Sequence, residues 1–218
     1  MNLLEIDFEG KLIRDILGIS YDNEDFSKEQ IAELVAQLDK IINDKNESSE
    51  KIAQAYVWKF QVLLDDYKLA PKLLEKALAL CPNMPQALIL TGVLCCFKEE
   101  ERNYGKLLEY INKAIESESL YPFARRIHAT VLKNFFREEN HKEEILADYA
   151  EYIKLKPDCS FGYEKYGEYL VDKLSLHNRD NNFTDSEKQD IDTAIHYYSE
   201  AIKYNPSVEN MKVESSFT

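Results

Sequence analysis

Cys95 and Cys96 are neighbours, and adjoining thiols are the first place to look for redox or nucleophilic chemistry. On a helix, consecutive side chains point to different sides, so the two would not form one site. With Cys81 and Cys159 they make no C-x-x-C spacing, which removes the zinc and dithiol patterns and leaves buried, reduced thiols as the expectation. His128, His141, His177 and His196 stand apart in the chain, and His128 is expected to be a satisfied, partly buried packing residue. Glu143-Glu144 and Glu99-Glu100-Glu101 would suit acid–base work or a metal, but such runs on helices and loops are solvated surface charge and receive no role. No phosphate-cradling glycine loop, nucleophile elbow, H-E-x-x-H pair or calcium loop is present. The expectation is therefore no catalytic residue, no metal and no cofactor: the chain is read as a non-enzyme.

The elements that would position any site are read from composition and period. Six Gly and six Pro in 218 residues are too few for a protein of many tight turns, and 44% apolar residues suffice for a core. The excess of 40 acids over 27 bases, a formal charge of −13, argues against tracking the phosphates of a nucleic acid. The ends carry that charge: residues 1–50 hold 13 acids and 5 bases, residues 51–160 hold 16 of each, and residues 161–218 hold 11 and 6. Apolar runs such as Ala87 to Leu90 are far too short to span a bilayer. Glu5, Asp7 and Glu9 stand where a secretory signal would be basic and apolar, so a cytoplasmic location is expected.

Self-similarity organises the rest. Leu73-Leu74-Glu75-Lys76-Ala77-Leu78-Ala79-Leu80-Cys81-Pro82-Asn83 returns as Tyr197-Tyr198-Ser199-Glu200-Ala201-Ile202-Lys203-Tyr204-Asn205-Pro206-Ser207, with weaker copies around Ala114 and Tyr152. The anchors Ala77, Ala114, Tyr152 and Ala201 are 37, 38 and 49 residues apart. Tyr163-x2-Tyr166-Gly167-x2-Leu170 followed by Ala194-x3-Tyr198, Ala201 and Pro206 resembles the tetratricopeptide repeat family, in which two helices A and B form each unit. Leu88-x2-Thr91-Gly92-x2-Cys95 with Leu107-x3-Ile111 and Ala114 is a second such unit, although Ser119 stands at its proline. Arg125-x2-His128-Ala129-x2-Leu132 with Ile145-x3-Tyr149 and Pro157 is a third. A first unit keeps Ala70-x3-Leu74, Ala77 and Pro82, but offers Trp58 where helix A needs a small side chain, so either its register is shifted or its hairpin opens wider. The A-to-B spacing grows along the chain, and the insertion Asn178 to Asp185 predicts a mobile surface loop with helix resuming near Ser186. Ser27-Lys28-Glu29-Gln30 predicts the start of a capping helix with Ile31, Leu34, Leu38, Ile41 and Ile42 on its apolar face. Ahead of it, Leu4 to Glu9 alternates as a strand does, and Leu12, Ile13, Ile16 and Leu17 recur at helical spacing.

The resemblance implies an all-α fold: a right-handed superhelical array of helix-turn-helix repeats behind an N-terminal helical cap. Its division is residues 1–49 as N-terminal segment and cap, 50–207 as three to four hairpins, and 208–218 as a frayed tail. It also implies a concave groove lined by helices A, which places Gln86, Ile89, Val93 and Phe97 there, then Phe123, Arg126, Thr130 and Lys133, then Phe161, Glu164, Glu168 and Val171, with Ala55 and Lys59 from the first unit. Residues 1–20 or a C-terminal helix are alternative occupants of that groove. The family's chaperone-tail clamp is not expected, since of Ala55, Lys59, Leu90, Val93, Phe123 and Arg126 only the last suits it. The implied function is a protein-interaction module that holds a peptide or helix of a partner, with no nucleic acid and no membrane. A sharper form is an acidic neutraliser or chaperone of a basic toxin or secreted protein. A helical-repeat enzyme and an RNA binder are the competing classes.

Overall fold

In the computed structural model of the chain, residues 27–63, 69–96, 102–118, 121–136, 141–175 and 183–205 are described. They form α1 (Lys28–Asn43), α2 (Ser49–Val62), α3 (Ala70–Leu80), α4 (Pro85–Leu94), α5 (Tyr104–Ser117), α6 (Pro122–Phe135), α7 (Lys142–Leu155), α8 (Ser160–Ser175) and α9 (Asp185–Tyr204). Contacts divide the chain into two compact units, Met1–Ser119 with α1–α5 and Leu120–Thr218 with α6–α9. The readings made for residues 1–26, for most of the 178–185 insertion and for 208–218 lie outside the described residues.

Local chemistry sets the helix starts. Ser27 and Gln30 close the expected capping box, with Ser27 Oγ accepting from the Gln30 amide at 3.2 Å and Gln30 Oε1 accepting from the Ser27 amide at 2.7 Å. Thr184 and Glu187 form a second box that opens α9 at Asp185, one residue ahead of the expected Ser186. α3, α4 and α6 instead carry a proline in their first two positions, where the missing N–H costs no helical bond. Helix ends share one device: Ala77, Ala114, Tyr152 and Ala201 each accept the amide of the residue four on, from Cys81, Glu118, Lys156 and Asn205, at 2.8 to 3.1 Å. The sequence repeat thus marks the last turn of every second helix.

In the first unit the hairpins are α2–α3 and α4–α5, with α1 packed on α2. Ala53, Val57 and Phe60 of α2 close on Leu73, Leu74 and Ala77 of α3, joined by Ala87 and Leu90 of α4. The small residue that α2 contributes to this cluster is Ala53. α4 is apolar on every side, and seven of its ten residues are buried. A Cβ added at Gly92 would lie 2.9 Å from Tyr110 Cβ, so only glycine lets α5 approach this closely.

In the second unit α6 pairs with α7, α7 with α8, and α8 with α9. Gly167 serves the α8–α9 contact as Gly92 serves α4–α5: an added Cβ would meet the Ala194 carbonyl oxygen and the Tyr198 ring at 3.3 Å. Second helices return to the next first helix through the short connections 81–84 and 156–159. The turns at Pro82 and Pro157 share a bond, Met84 N to Cys81 O and Cys159 N to Lys156 O, each 3.1 Å. The long spacing between Leu170 and Ala194 is partly helix, since α8 runs on to Ser175 and α9 starts at Asp185.

Candidate partner-binding face

Phe123, Arg126, Thr130 and Lys133 recur on α6 at the i, i+3, i+7 interval that puts them on one stripe, and Phe161, Glu164 and Glu168 do the same on α8. Long side chains from these two stripes meet. Phe123 is a buried residue, 8% exposed, and the Arg126 guanidinium lies 4.5 Å from its ring centroid and 5.0 Å from that of Phe161. Phe161 is braced edge-on by Tyr152 of α7 at 6.0 Å. One turn pair further along, Lys133 Nζ reaches Glu168 Oε1 at 2.9 Å and Asp172 Oδ2 at 2.7 Å. Lys165 takes the other Glu168 oxygen at 2.5 Å and lies 3.9 Å from Glu164.

Burial alone would raise the Glu168 carboxyl, but hydrogen bonds and charge from Lys165 and Lys133 outweigh it and hold the group at about 2. Burial would lower Lys133, and its bonds to Asp172 and Glu168 reverse this and raise it. Thr130 spends its hydroxyl on the Arg126 carbonyl at 2.8 Å, within its own helix. Val171 is 39% exposed at the edge of α8. Of the cations on this face, Lys133 and Lys165 hold carboxylates, and Arg126 holds none among the described residues.

The remaining sequence-derived positions fall elsewhere. Ile89 and Val93 are 0% and 1% exposed, so they are core of the first unit as the structure stands. Ala55 is fully buried, and Lys59 is held by Asp39 of α1 at 2.5 Å. Phe97 lies outside the described residues.

Two clusters were not anticipated. His128 is buried as expected, but its partner is Asp148, an acid inside the apolar stripe of α7: Nδ1 and Oδ2 are 2.5 Å apart. Arg125 donates to the other Asp148 oxygen at 3.0 Å, while its Nε is buried without a partner. Glu144 stands 3.8 Å from His128 Nε2 and accepts His141 at 2.9 Å. The second cluster is a tyrosine ladder between α8 and α9, Tyr166 stacked on Tyr197 at 3.9 Å and Tyr163 on Tyr204 at 5.4 Å. Burial and the neighbouring Tyr197 push the Tyr166 hydroxyl up to about 12. The only signal for either cluster was an acid or a tyrosine recurring at core spacing.

Among the described residues no three His, Cys, Asp or Glu side chains come together as a metal site. Their four cysteines are free, Cys96 buried and the others half-buried. None of the described helices is long and apolar enough to cross a membrane.

Paired helices with small residues at their crossings, a bonded anchor in each last turn and short returns between hairpins define a tetratricopeptide-like helical-repeat fold, all-α among the described residues. Solved structures of MamA agree on that fold. MamA matches with a TM-score of 0.52 and 14% identity over 94% of this chain and 98% of its own. MamA from Desulfovibrio magneticus RS-1, residues 41 to its end, matches with a TM-score of 0.52 and 18% identity over 93% and 97%. YrrB, described as a TPR protein with an unusual peptide-binding site, aligns at a TM-score of 0.49 and 19% identity over 95% and 91%. No family model and no curated protein matches the chain.

Proposed function

We propose that this chain is a non-enzymatic protein-interaction module that holds a peptide or helix of a partner protein against the α6–α8 face. The observation that carries the reading is the Phe123–Arg126–Phe161 cluster, in which one guanidinium lies against rings from helices of two successive hairpins. Aromatic rings and arginine are the side chains that concentrate binding energy at protein interfaces, because each offers a large rigid area at small entropic cost. A repeat array also leaves its first helices available for contact while the hairpins bury one another.

Capture of a partner on the full chain, followed by hydrogen exchange of the complex, tests this. Slowed exchange along α6 and α8, with capture lost in Arg126→Glu whose circular dichroism is unchanged, is the expected result. Protection confined to other helices would sink the assignment.

The formal charge of −13 favours a second reading, the neutraliser of a basic partner. Opposite net charge speeds encounter, so its association rate would fall steeply with added salt. An association rate indifferent to salt would remove that reading and leave the first.

A further inference from the structure

Resting on that reading of the α6–α8 face, we infer that the partner is recognised there through one internal Asp or Glu side chain, held by Arg126. The argument starts from what each charge on the face is already doing. Lys133 is shared by Glu168 and Asp172, and Lys165 by Glu168 and Glu164, so these acids and lysines satisfy one another. A basic group on the partner would have to displace a lysine already in place. An acidic group would meet, at Arg126, a cation that holds no carboxylate among the described residues.

Arg126 is built to receive it. A guanidinium carries five N–H donors around the edge of a plane. The phenyl rings of Phe123 and Phe161 lie within 4.5 and 5.0 Å of it, and the Tyr152 hydroxyl is a polar neighbour. Rings that shield the guanidinium from water strengthen its attraction for a carboxylate, and the fork of donors matches the two carboxylate oxygens. Contact with two rings also restricts the guanidinium, so less entropy is lost when the bond forms.

One cation suits one carboxylate. An acidic chain terminus brings at least two negative charges, and the other two cations of this face, Lys133 and Lys165, are committed to its own carboxylates. The ligand chemistry is therefore a single side-chain carboxylate within a segment, with apolar neighbours set against Phe161 and the exposed Val171.

The probe is a pair of random 12-residue peptide libraries displayed on phage, one fused at the peptide C-terminus and one with a free C-terminus, each selected on the full chain. The fused library is expected to yield peptides sharing one Asp or Glu. Their affinity should fall about tenfold or more in Arg126→Gln, as for loss of a charge-assisted bond, and equally when the peptide acid becomes its amide. Combining both changes should add little, because they remove the same contact. Arg126→Lys should restore only part of the affinity, since it keeps the charge and loses the plane. Thermal melting of each variant shows whether the fold is kept. Peptides that protect α6 and α8 from exchange yet share no acid, or bind Arg126→Gln as well as wild type, overturn the inference and leave the proposed function standing. Enrichment from the free-terminus library alone overturns it in favour of a terminal carboxylate. If neither library yields a binder, both the inference and the peptide-holding role of the face fall.

Discussion

His128 and Asp148, twenty positions apart on α6 and α7, meet with Nδ1 and Oδ2 2.5 Å apart at 4% and 2% exposure, and Arg125 shares the same carboxylate. A buried acid serving two basic side chains is dangerous to remove, because both partners then lose the group that offsets their desolvation. Asp148→Ala is expected to destabilise the α6–α7 hairpin by about 3 kcal/mol or more, and Asp148→Asn by less, since the amide still bonds to His128. Hydrogen exchange of α6 and α7 reads the change. Equal protection in Asp148→Ala and wild type would mean the pair contributes nothing.

Gly92 and Gly105 should respond oppositely to alanine. At Gly92 the new methyl would sit 2.9 Å from Tyr110 Cβ and 3.2 Å from the Leu107 carbonyl oxygen, and crowding of this kind costs about 1–3 kcal/mol. At Gly105, exposed on α5, its nearest neighbour is Asn103 Oδ1 at 3.6 Å, so the better helix former should stabilise by up to about 1 kcal/mol. Thermal unfolding of the two variants separates them by the sign of the shift in Tm.

Acid should loosen the α6–α8 face through Glu168. Its folded value, about 2, is depressed from the ordinary 4.5, so the stabilisation is fully present above pH 4.5 and is lost as pH falls towards 2. Glu168→Gln should flatten stability in that window and cost about 2 kcal/mol or less at neutral pH, the group being 28% exposed. Urea midpoints at pH 7 and pH 3 for both proteins check this. A pH dependence that survives the substitution would assign it to another acid.

Thr184→Ala removes the hydroxyl that accepts the Glu187 amide and leaves the residue-184 backbone N–H to Glu187 Oε2 in place, and a loss of about 1 kcal/mol is expected. Exchange should quicken in the first turn of α9 and stay unchanged near Ala201. Uniform quickening along the helix would show that α9 unfolds as one piece.

The hairpins were legible in the sequence because their determinants are local. Ala77, Ala114, Tyr152 and Ala201 recur as last-turn anchors, and Gly92 and Gly167 announce close crossings. Ser27 with Gln30 signalled α1 for the same reason, since a cap is written in four consecutive residues. The α6–α8 face was legible only as a set of positions. Which of them remain available depends on pairings over long separations: Lys133 finds Glu168 35 residues away, and no local pattern foretells it. Asp148 was overlooked because one acid in an apolar stripe reads as surface charge until Arg125 and His128 are seen against it. Ile89 and Val93 were placed by the resemblance in a groove, whereas both lie among the seven buried residues of α4.

The lysine–carboxylate pairing along α6 and α8 has a kinetic consequence. Arg126, Lys133 and Lys165 equal Glu164, Glu168 and Asp172 in number, so the face has no net charge of its own within a chain of −13. Long-range attraction and close contact then belong to different residues. The far field, and with it the rate of encounter, follows the acidic excess at the two ends of the chain and is screened by salt. If the proposed face holds the partner, the lifetime of the complex should follow Arg126 and its two rings, which salt reaches little.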